Sequence, residues 1–159
     1  MAKISRSKIK TFLNVTPAST ATYKLINDGV TTGKINMNPK TTEETYIGED
    51  SATIMVESYA PTMPIEATAV AGDDVFDFVD NLRITRAVLD AAETDIVNVW
   101  LYETPSGASY PAEKQTVAIQ IDDFGGDGGQ AAKINYTINY VGDPVPGIFN
   151  VATSAFTPS

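Results

Sequence analysis

Two groups of acidic residues stand out as side chains that could do chemistry: Asp73, Asp74, Asp77 and Asp80, and Asp122, Asp123 and Asp127 beside Gly125, Gly126, Gly128 and Gly129. Carboxylates in such numbers suggest calcium, but the second group lacks EF-hand spacing and a distal Glu, so an acidic hairpin loop is the expectation. Gly126 to Ala131 (GDGGQA) fits G-x-G-x-x-A, a phosphate-binding pattern that needs a strand before it and a helix after it. A strand follows instead, leaving no helix N-terminus to receive phosphate. The chain has no histidine and no cysteine. That removes the Ser-His-Asp triad, the His-paired cysteine, the HExxH zinc site, the usual neutral-pH base and all disulfides. Carboxylate-only mechanisms survive, yet nothing pairs two of the 20 acids. The expectation is a protein without catalysis, metal or cofactor.

The clearest element is Ala131 to Tyr140 (AAKINYTINY), where Ile134, Tyr136, Ile138 and Tyr140 alternate with Lys133, Asn135, Thr137 and Asn139. Period two sends one row to a core and the other outward. The outer row is short, mostly neutral and hydrogen-bonding: either a solvated sheet face or a face turned to something other than bulk water. Thr116 to Asp122 repeats it, with Val117, Ile119 and Ile121 inward and Thr116, Ala118 and Gln120 outward. Asp95 to Glu103 is apolar on both faces and reads as a central strand. The aromatic residues raise the idea of a sugar-binding face, but Tyr136 and Tyr140 share the isoleucine row and point to a core. Gly142 to Gly147 (GDPVPG) reads as a turn, and Phe149 to Phe156 as a last strand.

Upstream, Val75, Val79 and Leu82 form one helical stripe over about 73-84, with Asp73 or Asp74 as cap and Arg83 and Arg86 at the negative end. Caps and a solvated helix face account for that acidic group. Strands are expected at Thr11 to Val15, Thr22 to Ile26, Thr31 to Met37, Ala52 to Tyr59 and Ile65 to Val70, with a tight hairpin at Asn27-Asp28-Gly29. A long excursion spans about 38-64. Its Ile47, Ile54, Met55, Val56, Tyr59 and Met63 argue against disorder, and either a neighbour or the chain's own core would bury them.

The length of 159 residues suits a single domain over 1-159, and no apolar run reaches the ~18 residues of a membrane span. MAKISRSKIK lacks the apolar segment of a secretory signal, so a soluble chain is expected. The net charge of −9 conceals an asymmetry. Residues 1 to 40 carry seven Lys/Arg against Asp28, net +6, and the remainder four against nineteen acids, net −15. Without interleaved aromatic residues, the basic stretch at 1-10 reads as a solvated or partner-docking arm, not a nucleic-acid site.

In order, YAPTMPIEATAVAGDDVFDFVDNLR (59-83), FGGDGG (124-129), KINYTINYVGDPVPG (133-147) and the closing FNVATSAFTP resemble the major tail tube proteins of long, non-contractile-tailed bacteriophages. The resemblance covers about two-thirds of the chain, chiefly after residue 58. It implies a mainly β, sandwich or barrel-like fold with one flanking helix. It also implies self-assembly into stacked hexameric rings, a virion location after assembly in the host cytoplasm, and a channel for phage DNA without sequence-specific binding. A tape-measure protein in the lumen and tail-tip and tail-terminator proteins are the implied partners. On that reading Lys133, Asn135, Thr137, Asn139, Thr116, Ala118 and Gln120 are candidates for the channel wall. The basic arm (Lys3, Arg6, Lys8, Lys10), the excursion (Glu43, Glu44, Ile47, Glu49, Asp50, Met55) and a C-terminal strand or arm at 148-159 are candidates for subunit contacts. The alternatives are an inner-tube protein of a contractile tail or phage-derived bacteriocin, which would need a sheath, and a discrete β-sandwich binding module.

Overall fold

The computed structural model describes residues 1-159. A 3-10 turn at Arg6–Lys8 leads into β1 (Ile9–Asn14), β2 (Tyr23–Leu25), β3 (Val30–Gly33), β4 (Pro39–Glu44), β5 (Thr53–Tyr59) and β6 (Thr62–Thr68). Helix α1 (Asp74–Thr85) and a second 3-10 turn (Leu89–Ala92) precede β7 (Glu93–Trp100), β8 (Ser109–Gly125), β9 (Lys133–Asn150) and β10 (Ala155–Pro158). Eight strands form one antiparallel sheet in the order β2-β1-β7-β8-β9-β6-β3, with β10 also on β9. The sheet curls into a half-barrel, meeting the mainly β, barrel-like expectation.

Length explains how β8 and β9 organise the rest. With 17 and 18 residues they form a ribbon long enough to serve several partners in succession. β6 lies along Lys133 to Asn139 and β10 along Gly147 to Asn150, both on the edge of β9 that β8 leaves free. Helix α1 caps its own start, with the Asp73 carboxylate accepting the Phe76 N–H at 3.0 Å, and ends where Arg86 adopts φ 48°. Val75, Val79 and Leu82 then pack on one face of the sheet with Leu13, Ile65, Ile96, Val117, Ile134, Tyr136 and Ile138. A second cluster, Phe12, Tyr23, Val97, Val99, Ala112 and Phe149, fills the other face at one end. Strand β7 serves both, Ile96 one way and Val97 and Val99 the other, as its two apolar rows predict.

Several local expectations change. The third strand is Val30–Gly33, not Thr31 to Met37, and it pairs with β6 rather than β2. Asn27-Asp28-Gly29 is therefore no hairpin turn between paired strands, but a turn that carries the chain to the free edge of β6. Gly29 is required there: φ is +76° and a Cβ would sit 2.6 Å from the Thr68 carbonyl oxygen. GDPVPG does not reverse the chain either, because β9 runs through it to Asn150. The register shift at Lys114/Thr116 takes up Gly142, Asp143 and Pro144, with Gln115 Nε2 donating to Gly142 O at 2.7 Å. Pro144 lies in this shift, beyond the reach of β6, where a missing N–H costs no ladder bond.

The expected strand from Phe149 to Phe156 is split. Phe149 and Asn150 finish β9, the Asn150 carboxamide oxygen accepts from the Ala152 and Thr153 N–H groups, and β10 returns antiparallel. Thus 148-159 is a hairpin rooted in the core, not a free arm. The N-terminal arm is also partly built in. Arg6 donates to Gly33 O at 3.0 and 3.3 Å and to Ile9 O at 2.5 Å, and Ile9 and Lys10 open β1.

Candidate functional site

The pairing of β6, β9 and β8 sets the outer rows side by side. Thr62, Pro64, Glu66 and Thr68 oppose Asn139, Thr137, Asn135 and Lys133 on one flank, and Ala118 and Gln120 oppose Asn139 and Thr137 on the other. Thr116 pairs with Val141 on the same face. All seven residues anticipated as one surface, Lys133, Asn135, Thr137, Asn139, Thr116, Ala118 and Gln120, therefore share a face. Alternation guarantees this once the register is set, since Ile134, Tyr136 and Ile138 are buried on the opposite side.

The face is cross-linked by its own side chains. Thr137 Oγ1 donates to Asp122 Oδ2 at 2.7 Å, Gln120 Nε2 to Asp122 Oδ1 at 2.6 Å, and Asn135 Nδ2 to Asp123 Oδ1 at 2.8 Å. Asn139 Nδ2 reaches Gln120 Oε1 at 3.4 Å. Strict alternation would send Asp122 and Asp123 to opposite faces. The register shift between Ile121 and Asp123 turns both carboxylates to the polar side. The sequence alone places Asp122 at the junction of the Thr116 to Asp122 strand and the acidic loop, Asp123 in that loop, Thr62 in the excursion and Glu66 on the strand from Ile65 to Val70. The alternation of Met63, Ile65 and Ala67 with Thr62, Pro64, Glu66 and Thr68 was the available signal for β6. Glu66, Asp122 and Asp123 against Lys133 give this three-strand face an acidic balance.

At the rim of the second core, Tyr23 donates to Asp95 Oδ2 at 2.5 Å and Asn14 Nδ2 to Asp95 Oδ1 at 2.9 Å. Burial, and then the Asp95 bond, push the Tyr23 hydroxyl above the usual phenol range. Thr11 Oγ1 donates to Asn98 Oδ1 at 2.7 Å, and Asn98 Nδ2 to the Tyr140 oxygen at 3.0 Å. Burial pushes Tyr140 up to about 12 against the opposing effect of that donated bond. Tyr136 is 2% exposed. The inward reading of both tyrosines holds, and these hydroxyls serve the interior.

Three of the four carboxylates in the first acidic group are engaged locally. Asp73 caps the helix, Asp74 lies 3.4 Å from Lys24 Nζ, and Asp80 Oδ1 lies 2.7 Å from Arg83 Nη2. The Arg83 guanidinium also sits 4.1 Å over the Phe124 ring, joining the helix to the end of β8. GDGGQA lies between β8 and β9 and runs into a strand.

The excursion is a separate two-stranded hairpin, β4 with β5, exposed along nearly its whole length. Ile47 at the tip is fully exposed, and Ile54, Met55, Val56 and Tyr59 are exposed as well. Own-core burial is overturned for these five, while Met63 does enter the core. Glu43 and Glu44 lie on β4, opposite Ile54 and Thr53, and Glu49 and Asp50 follow the tip. Only Glu57 among the hairpin's acids has an ion-pair partner, Lys40 at 3.5 Å. On the arm, Lys3 and Lys8 are exposed and Lys10 is half-buried in β1.

No helix is long and apolar enough to cross a membrane. No family model matches the sequence, and no curated protein matches it. The fold does have a solved counterpart: it is similar to a chain from the tail of an empty GTA particle with C6 symmetry, at TM-score 0.65 and 11% identity, covering 98% of this chain and 99% of that one.

Proposed function

We propose that this chain is the structural subunit of a phage-like tail tube. Copies associate into hexameric rings that stack, and the β6-β9-β8 face of each subunit lines the bore. The observation that carries the reading is the end-to-end likeness of fold to a chain from a C6-symmetric particle tail. Two features of the chain support it independently. The polar face is neutral to acidic, with its short side chains tied to one another, so phosphates moving past it meet few cations on which to exchange counterions. The hairpin exposes a run of apolar side chains that a monomer would ordinarily bury, which suits contacts between copies. During assembly the bore would surround a tape-measure protein, with tail-tip and tail-terminator proteins closing the ends. The completed tube would then pass DNA without reading its sequence. We propose no catalytic role.

Negative-stain electron microscopy over a concentration series, with sedimentation in parallel, tests this. Rings or open-ended tubes of uniform bore are the expected result. A monomer at every concentration, including after addition of tail-tip complexes, refutes the proposal.

A further inference from the structure

The opening of the half-barrel carries a concave site whose chemistry mirrors the hairpin tip. The sheet's end strands, β2 and β3, do not pair with each other. Between β1 and β2 on one side and β3 and β6 on the other lies a cavity of about 320 Å³. Its apolar floor includes Leu25, Ile26, Met63 and Ile65, and Arg6 and Lys10 line its edge. Lys8 and Lys34 directly adjoin lining residues Ser7, Ile9 and Gly33, and Arg6 ties the arm to β3 by its bonds to Gly33 O. Lys8, Lys10 and Lys34 form no ion pair within the chain.

The hairpin tip has the opposite properties. The Glu49 N–H donates to Tyr46 O at 2.9 Å, closing a turn with Ile47 and Gly48 at its apex. Ile47 is 105% exposed and Tyr46 48%, so neither is docked on its own chain. Glu43, Glu44, Glu49 and Asp50 make no internal ion pair. Six residues of strand at roughly 3.3 Å each hold this tip about 20 Å from the hairpin's base, within reach of a neighbour.

We propose that the tip of one copy inserts Ile47 into the β1/β3 cavity of a second copy, with Glu49 and Asp50 meeting Lys8, Lys10 and Lys34. This rests on the tube reading above and names the contact through which copies join. Made in one direction around a tube, the contact is heterologous, and its repetition generates a ring or a stack. Charge complementarity selects a second copy as the occupant, since the acids on the tip and the lysines at the cavity are both unsatisfied in the isolated chain.

The absence of native cysteine makes a direct test possible. One chain carries Ile47→Cys and another Thr32→Cys, at a cavity-lining position exposed to solvent. Mixed under assembly conditions and mildly oxidised, they are expected to give a disulfide-linked dimer on a non-reducing gel that exceeds any dimer from either chain alone. In parallel, Glu49→Lys with Asp50→Lys, and separately Lys8→Glu with Lys10→Glu, are expected to abolish assembly while circular dichroism is unchanged. All four reversals on one chain are expected to restore it. Rings or tubes from the unmodified chain together with no mixed dimer would overturn this contact and leave the tube reading standing. Assembly unaffected by either reversed pair would do the same. An unmodified chain that stays monomeric under all conditions overturns both.

Discussion

Replacing Phe149 by Ala tests whether the chain beyond Gly147 belongs to the body. Phe149 is 0% exposed, with its ring centroid 4.5 Å from that of Phe12 and 6.0 Å, edge-on, from that of Tyr23. Truncating a fully buried Phe costs about 3–5 kcal/mol, made of lost transfer energy and the cavity left behind. The upper half of that range applies here, because two aromatic partners lose contact at once and each aromatic pair adds about 0.5–1.5 kcal/mol beyond area. At about 2–4 °C per kcal/mol for a chain of this size, the melting temperature should fall by roughly 8–20 °C. Thermal unfolding measures that shift, and urea unfolding followed by circular dichroism and by the fluorescence of the single Trp100 measures the free-energy loss. Phe156→Ala is the internal comparison: Phe156 is half-buried at the edge of the same cluster, so its loss should be clearly smaller. A loss below about 1 kcal/mol for Phe149→Ala would refute the reasoning, since a residue on a dispensable arm behaves that way.

Tyr23→Phe removes a hydrogen bond to a carboxylate and should cost about 1.5–3 kcal/mol at neutral pH. Tyr23, Tyr136 and Tyr140 are all raised by burial, so the fold holds their protons more tightly than the unfolded chain does. Their contribution should be complete below the unfolded tyrosine value of about 10 and decline as pH rises above it, and Tyr23→Phe should flatten that decline in urea midpoints taken between neutral and strongly alkaline pH. Gly147→Ala places a methyl group against the Phe156 ring and the backbone of Thr157 and Pro158, so β10 should detach, read as loss of amide protection at Ala155 and Thr157 with the rest unchanged. Asn135→Lys with Thr137→Lys puts two cations on the polar face. Assembled tubes of this variant should retain DNA in a salt-dependent way, with the log–log slope steeper by about 0.9 per phosphate neutralised. Equal retention by variant and unmodified tubes would remove this face from the bore.

Period-two and period-3.6 patterns were legible wherever burial on one side enforces them. The inward row of Ile134, Tyr136 and Ile138, the stripe of Val75, Val79 and Leu82, and the two apolar faces of β7 follow from side-chain geometry and the hydrophobic effect. The polar row was legible for the same reason, since it is whatever the buried row leaves over. Composition likewise dictated which chemistry was out of reach, because no fold can supply the imidazole and thiol groups the chain lacks.

Pairing partners and irregularities were decided only by the tertiary structure. GDPVPG carries every local signal of a turn, yet β8 offers a continuous edge on which Val145 to Asn150 pair after a bulge absorbs the misfit. Asp123 joins Asp122 on the polar face only because a bulge breaks alternation beside it, and β3 pairs with β6 rather than with β2. The apolar residues of the excursion could have gone inward or outward by composition alone. The hairpin stands clear of the two cores, which the sheet's own strands and α1 fill, and its apolar side chains stay exposed. Local sequence sets what each segment prefers, but ladder bonds and core volume are shared between segments distant in the chain, and that competition is resolved only in three dimensions.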